Sequence, residues 1–141
     1  MLLPWKLLQV LENLNILIYT IVIGKYKGAS ETIVYGVSIP GQEGKAGMVT
    51  ILPNHSDFDL QSLYDFCSKN LAEYANPLFL RIQQSMQKTS TYKYTKVELL
   101  KQGFNPELTQ DPLYFRDRQA GKYVPLDKKL YDEIVNGKLK L

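Results

Sequence analysis

Cysteine and histidine are nearly absent from this 141-residue chain, which contains one of each. The single cysteine, Cys67, excludes an internal disulfide, and the single histidine, His55, cannot build a metal site from the usual nitrogen and sulfur ligands. Cys67 recurs at helical spacing with Leu60, Leu63 and Leu71, which predicts that its thiol packs in the core. His55 lies in a Pro-Asn-His-Ser stretch typical of a solvated turn. We therefore expect no metal site in this chain.

A strong excess of one charge is also missing. The chain has 17 Lys and Arg against 14 Asp and Glu, for a formal net charge of +3, and the excess lies in the C-terminal part. A basic surface attracts nucleotides, CoA, nucleic acid or anionic lipid headgroups, and charge alone does not choose among them. Nucleic acid is disfavoured because the basic residues are not interleaved with aromatic residues along a strand, as single-strand binders require. We expect no nucleic-acid partner.

No apolar run is long enough and free enough of charged residues to predict a membrane span. Leucine and valine recur three and four residues apart up to Asn15, which predicts an amphipathic helix, and residues 16–23 are apolar. A span needs about 20 mostly apolar residues, and Lys6 and Glu12 interrupt this one. A helix that is soluble or docks on the domain is the favoured interpretation, ahead of a membrane-surface helix, a span or a secretory signal. Residues 24–30 are typical of a linker.

The size of the chain indicates one domain, and its patterns predict an α+β fold. Residues 32–39 and 46–52 are two apolar runs joined by turn chemistry, which predicts an antiparallel pair of strands. A helix follows from about Asp59 to Asn70, capped by Ser56 or Asp57. Residues 78–82 predict a third strand, and residues 95–102 a short helix ended by Gly103. The expected architecture is a small antiparallel sheet with flanking helices.

The tail beyond residue 103 has aromatic and basic stretches. We interpret the aromatic residues of 111–115 and 123–126 as packing that holds the tail on the domain. Residues 116–122 are predicted to be an exposed basic segment, and a last helix should begin near residues 125–127. Its apolar face is formed by Leu126, Leu130, Tyr131 and Ile134. Four lysines, Lys128, Lys129, Lys138 and Lys140, are expected to be solvated, with an anionic membrane as the minority alternative.

Residues 89–96, Thr-Ser-Thr-Tyr-Lys-Tyr-Thr-Lys, join small hydroxyl side chains to two lysines. They lie between the third strand and the short helix, which predicts a cationic loop held by a packed support. A lysine at a loop tip carries a compact charge on a flexible stem and can bridge phosphate oxygens and a carboxylate. Lys93 is the residue most suited to chemistry.

Four stretches of the chain together resemble the C-terminal lobe of the adenylate-forming enzymes. Residues 89–96 are similar to the last core motif of these enzymes, Thr-x-Ser-Gly-Lys-x-x-Arg, with Thr91-Tyr92 at the Ser-Gly positions and Lys96 at the arginine. This form resembles the fatty acid transport proteins, which are similar to very-long-chain acyl-CoA synthetases. The other matching stretches are residues 34–48, 71–77 and, in the tail, 111–115 with 123–126, so the resemblance covers roughly residues 31–141.

The resemblance implies a role for the lysine motif. In a complete enzyme Lys93 would be catalytic, Thr89, Thr91, Tyr92 and Lys96 would support its loop, and ATP, CoA and Mg²⁺ would be used, although we expect this lobe alone to bind none of them. The implied partners are the missing N-terminal adenylation domain, a fatty acid substrate and, as an option, a membrane surface. The implied location is the endoplasmic reticulum or plasma membrane, with this lobe on the cytosolic side.

The turn between the first two strands contains the second candidate site. Gly41, Gly44, Lys45 and Gly47 form a loop that the resemblance places near CoA or near the other domain. Backbone N–H groups of such a loop can cradle a phosphate, but no helix start follows it, so turn geometry is the favoured interpretation.

The sequence therefore divides into an atypical N-terminal segment and linker (1–30), the C-terminal lobe of an acyl-CoA synthetase (31–102) and a C-terminal extension of the family's type (103–141). We expect a fragment of a long-chain or very-long-chain fatty acid–CoA ligase, inactive alone because the ATP-gripping loop and acyl tunnel belong to the larger domain. The hinge that opens this lobe is missing, which suggests a fragment or an alternative start. The alternative function is a non-catalytic docking module for a protein or a membrane surface.

Overall fold

A computed structural model describes residues 20–41, 45–53, 58–71, 76–83 and 92–139, with only the backbone described for residues 92–96. Residues 20–23 are helical. The strands are β1 (Ala29–Ser38), β2 (Lys45–Pro53), β3 (Phe79–Ile82), β4 (Leu113–Asp117) and β5 (Lys122–Pro125). The helices are α1 (Leu60–Asn70), α2 (Tyr92–Gln102) and α3 (Lys128–Val135). The predicted α+β class is confirmed.

The five strands form one sheet in the order β1-β2-β3-β4-β5. Neighbouring strands are antiparallel except β2 and β3, which pair in parallel. The sheet is thus mixed, and the prediction of an antiparallel sheet is wrong at this pair. Helix α1 lies between β2 and β3 in sequence. It returns the chain to the end of the sheet at which β2 begins, so that β3 can run parallel to β2.

Apolar side chains cover both faces of the sheet. On one face α1 and residues 20–26 pack over Val34, Val49 and Leu80, and on the other α2 and α3 pack over Ile33, Met48 and Phe79. The central strands are buried on both faces, which is why they read as dense apolar runs and not as alternating ones. Three layers result, with helices above and below the sheet.

Helix α1 has the predicted extent. Its N-cap is Asp59, whose carboxylate accepts a hydrogen bond of 3.0 Å from the backbone N–H of Ser62. The cap is therefore not Ser56 or Asp57, which lie outside the described residues together with His55. Leu63 and Cys67 are buried, at 0% and 1% exposure. The core interpretation of Cys67 is confirmed, and burial raises the pKa of its thiol to about 12.

The tail beyond residue 103 contributes two strands that we did not predict. Strands β4 and β5 form a hairpin that extends the sheet from β3. Arg116, expected in an exposed segment, is only 4% exposed. Its guanidinium carbon lies 4.8 Å from the ring centre of Tyr64, and its Nη2 donates to Ser68 Oγ at 3.3 Å. Stacking on an aromatic face and hydrogen bonding are what make a buried arginine tolerable.

The predicted packing of the tail is otherwise confirmed. Tyr123 is buried and its hydroxyl donates to the carbonyl oxygen of Pro77 at 2.9 Å. Helix α3 begins at Lys128, one residue after its cap Asp127, whose carboxylate accepts from the Leu130 N–H at 2.8 Å. Leu126 and Ile134 are buried, and Leu130 and Tyr131 pack partly buried beside them. Lys128, Lys129 and Lys138 are exposed as predicted, while Lys140 lies outside the described residues.

Residues 20–30 are tied to the domain. Ile23 and Tyr26 are buried in the core beside α1, and the Tyr26 hydroxyl donates to Ser62 Oγ at 3.2 Å. Strand β1 begins at Ala29, so the last two residues of the predicted linker belong to the sheet. The amphipathic helix predicted before Asn15 lies outside the described residues. Within the described part of the chain, none of the helices has the length and apolar character needed to cross a bilayer.

Candidate functional site

Helix α2 carries the candidate catalytic lysine. It begins at Tyr92, three residues earlier than predicted, so Lys93 is its second residue and does not lie on a loop. Tyrosine and threonine cost only tenths of a kcal/mol each in a helix relative to alanine, so the helix extends through this stretch at little cost. Thr89 and Thr91, predicted to support Lys93, lie outside the described residues. Tyr92 and Lys96 lie in the helix.

Helical geometry places position 93 on the outer face of α2. Successive residues turn by about 100°, so positions 93, 97 and 100 fall within roughly 60° of one another. Val97 and Leu100 are exposed, whereas Leu99 is buried at 1% exposure in the core beneath β1. Position 93 therefore shares the face that points away from the sheet. Position 92 shares the face of Leu99, and position 96 falls beside Leu100.

The C-terminal end of α2 is fixed in the core. Gly103 adopts a positive φ of 51°, a conformation that favours glycine, and its N–H donates to the carbonyl oxygen of Leu99 at 2.9 Å. Phe104 then stacks on Phe79 of β3, with ring centres 4.2 Å apart and planes at 6°. The predicted end of the helix at Gly103 is confirmed. The last turn of α2 is therefore anchored on the sheet, and Lys93 lies at the opposite end of the helix.

Arg81 connects β3 to α2 and to the loop before β4. Its Nε donates to Asp111 Oδ2 at 2.8 Å, and its Nη1 donates to Gln102 Oε1 in the last turn of the helix. The arginine is 6% exposed. Sequence reasoning missed this cluster, although a lone arginine in the apolar run of residues 78–82 is a signal that a buried partner exists. The guanidinium fixes where the end of α2 lies on the sheet.

A buried hydroxyl pair lies close to this arginine. Tyr35 and Thr50, on the paired strands β1 and β2, are hydrogen-bonded through their hydroxyl oxygens at 2.7 Å. Burial raises the pKa of Tyr35 to about 12, against the lowering effects of the hydrogen bond to Thr50 and of the positive charge of Arg81. Tyr35 therefore stays protonated at neutral pH, and its hydroxyl forms a buried hydrogen bond between β1 and β2.

A groove of about 470 Å³ joins α2 to the β1–β2 hairpin. Lys45 lines it from the start of β2, and Leu100, Lys101 and Phe104 line it from α2 and the turn that follows. A Cβ atom at Gly36 would lie 3.1 Å from Lys45 Cβ and Cδ, so the glycine leaves room for the lysine stem across the strands. The structure thus brings one residue of the predicted glycine loop to the helix of Lys93.

The remaining residues of the glycine loop do not converge on this groove. Gly41 has a positive φ of 81° and is exposed, which fits the favoured interpretation of turn geometry. Gly47 lies inside β2, and its carbonyl oxygen accepts from the Leu78 N–H at 3.0 Å. Gly44 lies outside the described residues. Among the residues that the structure describes, no three or more His, Cys, Asp or Glu side chains are grouped as potential metal ligands.

Three comparisons with known proteins bear on this lobe. The chain is 41% identical over 130 residues to long-chain fatty acid transport protein 1 of Mus musculus, a match that covers 92% of this chain and 20% of that protein. It is 46% identical over 122 residues to long-chain fatty acid transport protein 6 of Homo sapiens, covering 85% and 20% of the two proteins. It is 43% identical over 113 residues to long-chain fatty acid transport protein 3 of Homo sapiens, covering 79% and 16%. No family model and no solved structure matches the chain.

The fold defines the class of this protein. It is a small α+β lobe built on a five-stranded mixed sheet with helices on both faces. The chain is homologous to a C-terminal portion of the long-chain fatty acid transport proteins, and it spans about a fifth of the length of the relatives that it matches. A match over 130 residues is longer than residues 31–141, so it must extend into the first 30 residues, which we had expected to lie outside the resemblance.

Proposed function

We propose that this chain acts as the mobile C-terminal lobe of a long-chain or very-long-chain fatty acid–CoA ligase and supplies the catalytic lysine, Lys93, for acyl-adenylate formation. The observation that carries the proposal is the position of Lys93 in the first turn of a helix whose far end is anchored in the core. The relatives are long-chain fatty acid transport proteins, which supports a fatty acid as the substrate class.

The position of Lys93 is unfavourable for helix stability, which supports a functional role. A helix N-terminus carries a partial positive charge, and a cation there costs about 0.3–1 kcal/mol. The first turn of α2 contains no acidic residue that would compensate this cost. A bound anion would compensate this cost, because the partial positive charge of a helix N-terminus and a lysine in the same turn both attract negative charge. The arrangement therefore suits a phosphate.

In the proposed reaction the fatty-acid carboxylate attacks the α-phosphate of ATP and pyrophosphate leaves, after which the CoA thiol displaces AMP from the acyl-adenylate. Two anions approach each other in the first step, and negative charge gathers on the α-phosphate oxygens. A positioned ammonium reduces this repulsion and stabilises the transition state more than the ground state, which is the condition for a faster step. Lys93 would be that cation, and Lys96, one turn further along α2, would add to the local positive potential.

The lobe needs a partner for this chemistry. We infer that the ATP and acyl sites belong to the N-terminal domain of the complete enzyme, that CoA and Mg²⁺ are used there as well, and that this chain alone is inactive. Mixing the chain with the N-terminal portion of long-chain fatty acid transport protein 1 of Mus musculus should raise pyrophosphate release from ATP and a long-chain fatty acid. No rise at any concentration would favour the alternative function, a non-catalytic docking module.

We also propose that the complete protein works at a membrane, of the endoplasmic reticulum or the cell surface, with this lobe on the cytosolic side. A long-chain fatty acid partitions into a bilayer, whereas ATP and CoA are dissolved in the cytosol, so an enzyme that joins them would work where the two meet. Protease treatment of sealed membrane vesicles in both orientations tests the side. Cleavage of the lobe only in cytosol-side-out vesicles is the expected result, and protection in that orientation would contradict it.

A further inference from the structure

Two arginines are buried in the described part of the lobe, and each holds a helix on a different face of the sheet. Arg116 is 4% exposed and donates from Nη2 to Ser68 Oγ of α1 at 3.3 Å. Arg81 is 6% exposed and donates from Nη1 to Gln102 Oε1 and from Nε to Asp111 Oδ2. We call Arg81, Gln102 and Asp111 the α2 clamp. The clamp holds the helix that contains the candidate catalytic lysine.

Apolar contacts keep α2 on the sheet without setting its direction closely. Leu99 and Phe104 are buried, at 1% and 5% exposure, but the hydrophobic effect that holds them is non-directional. A planar guanidinium donates along fixed directions, so the bonds of Arg81 define where the last turn of α2 lies. Apolar residues of similar volume often stabilise a core at least as well as a buried ion pair. The α2 clamp is therefore better suited to orienting the helix than to stabilising the fold.

Lys93 lies at the end of α2 that is far from the clamp. Positions 93 and 102 are nine residues apart, which is about 13.5 Å along the helix axis. A tilt of about 10° at the clamp would therefore move position 93 by about 2 Å. A misplacement of about 1 Å can lower the rate of an enzyme by about 100-fold. A small change of direction at Gln102 is thus sufficient to move the ammonium of Lys93 out of position.

We propose that Arg81 is a positioning residue for acyl-adenylate formation, because its bond to Gln102 sets the direction of α2 and thereby the position of Lys93. This inference rests on the proposed function. Arg81 is buried and acts through the helix, without contact to the substrate. Asp111 balances the charge of the guanidinium and fixes its orientation, so that Nη1 is directed at the last turn of α2.

The first measurement tests the direction of α2 in the chain itself. Gln102→Met removes the acceptor of Arg81, keeps a side chain of similar length and leaves the ion pair in place. Spin labels at Lys93→Cys and Lys122→Cys report the distance from the first turn of α2 to the start of β5, and Cys67, at 1% exposure, should not react. In pulsed electron paramagnetic resonance, Gln102→Met should shift or broaden the distance distribution by about 2 Å. Gln102→Glu, which can still accept the bond, should restore it.

The second measurement tests the rates of the two half-reactions. The chain is added at saturating concentration to the N-terminal portion of long-chain fatty acid transport protein 1 of Mus musculus. Pyrophosphate release reports adenylate formation, and thioester formation is followed from supplied acyl-adenylate and CoA. Gln102→Met should slow pyrophosphate release about tenfold and thioester formation less than about threefold. Gln102→Glu should restore the rate of pyrophosphate release.

The matched control is Ser68→Ala, which removes the acceptor of the other buried arginine, Arg116, on the opposite face of the sheet. It should change neither the distance distribution nor either rate, and thermal unfolding should show that every variant folds. Equal losses in the two half-reactions for Gln102→Met would make the α2 clamp a purely structural feature.

The remaining outcomes separate this inference from the proposed function. An unchanged distance distribution in Gln102→Met overturns the inference. If the wild-type chain stimulates pyrophosphate release and Gln102→Met stimulates it equally, the inference is overturned and the proposed function stands. If the wild-type chain does not stimulate, the proposed function fails and the catalytic part of the inference fails with it. The distance measurement then still decides whether the clamp directs α2.

Discussion

Arg81 and Asp111 form an ion pair that is closed to water on the arginine side. Nε and Nη2 of the arginine each lie 2.8 Å from Oδ2 of the aspartate, and the side chains are 7% and 31% exposed. Burying a charge without a partner lowers the stability of the fold, whereas a buried ion pair whose members are also hydrogen-bonded is tolerated. Asp111 therefore makes it possible for Arg81 to hold the end of α2 from inside the core.

Asp111→Ala should destabilise the lobe by roughly 2–4 kcal/mol, because it leaves the guanidinium of Arg81 buried with the neutral Gln102 as its remaining side-chain partner in the cluster. Urea unfolding followed by circular dichroism measures the change. The range is below the usual maximum since Asp111 is partly exposed and water can replace some of its contact.

The control is the exposed ion pair between Lys128 and Glu107, whose charged atoms are 3.0 Å apart and whose side chains are 70% and 58% exposed. Glu107→Ala should leave the urea midpoint close to that of the wild type, because exposed pairs contribute little. Equal losses for Asp111→Ala and Glu107→Ala would show that burial of Arg81 does not decide the cost.

A second pair of variants should show that a core residue and the candidate catalytic residue affect stability differently. Leu63 is fully buried under the sheet, so Leu63→Ala should cost roughly 2–5 kcal/mol. Lys93 lies on the outer face of α2, so Lys93→Ala should leave thermal unfolding nearly unchanged, or raise the midpoint slightly because a cation leaves a helix N-terminus. Unfolding of the lobe by Lys93→Ala would make Lys93 a structural residue.

Much of the fold could be predicted from the sequence because its strong signals are local. The apolar runs of β1, β2 and β3, the helical spacing around Leu63 and the glycine that ends α2 are all read within a few residues. Strand β4 was missed because its charged residues, Arg116 and Asp117, read as surface. The environment that buries Arg116, the ring of Tyr64, is distant in sequence and comes together only in the fold.

The candidate site could likewise be predicted only in part from the sequence. Lys93 could be chosen from its motif, but its position in a helix depends on the packing of Leu99 against the sheet, which no local pattern shows. The clamp of Arg81 on Gln102 and Asp111 depends on three separated parts of the chain. The order of β2 and β3 in the sheet likewise depends on where α1 crosses, so a parallel pair could not be read from the strands themselves.

Alkaline pH should destabilise the lobe through two buried groups. The pKa of Cys67 is raised from 9.0 to about 12, and that of Tyr35 from 10.0 to about 12, mainly by burial. Above pH 9 the unfolded chain loses the thiol proton that the folded chain retains, so the unfolded state binds fewer protons and stability falls as pH rises. The part of the folding stability that comes from these two buried groups is fully present below about pH 9 and is lost between about pH 9 and 12.

The slope can be assigned to Cys67 with urea unfolding at pH 8, 9 and 10. Wild type should lose stability with a slope that approaches about 1.4 kcal/mol per pH unit from this group, and Cys67→Ala, compared with itself across pH, should lose that part of the slope. An identical slope in the two proteins would mean that Cys67 does not remain protonated in the fold.

The most direct test of the central claim is the rate of the two half-reactions in a complete fatty acid transport protein with the residue equivalent to Lys93 replaced by alanine. Formation of the acyl-adenylate should slow by roughly 10²–10³-fold, the scale of losing one preorganised electrostatic donor. Thioester formation from supplied acyl-adenylate and CoA should be affected far less, because no attack on the α-phosphate remains to be stabilised. Equal losses in both half-reactions would contradict the account and leave Lys93 as part of the surface that closes on the larger domain.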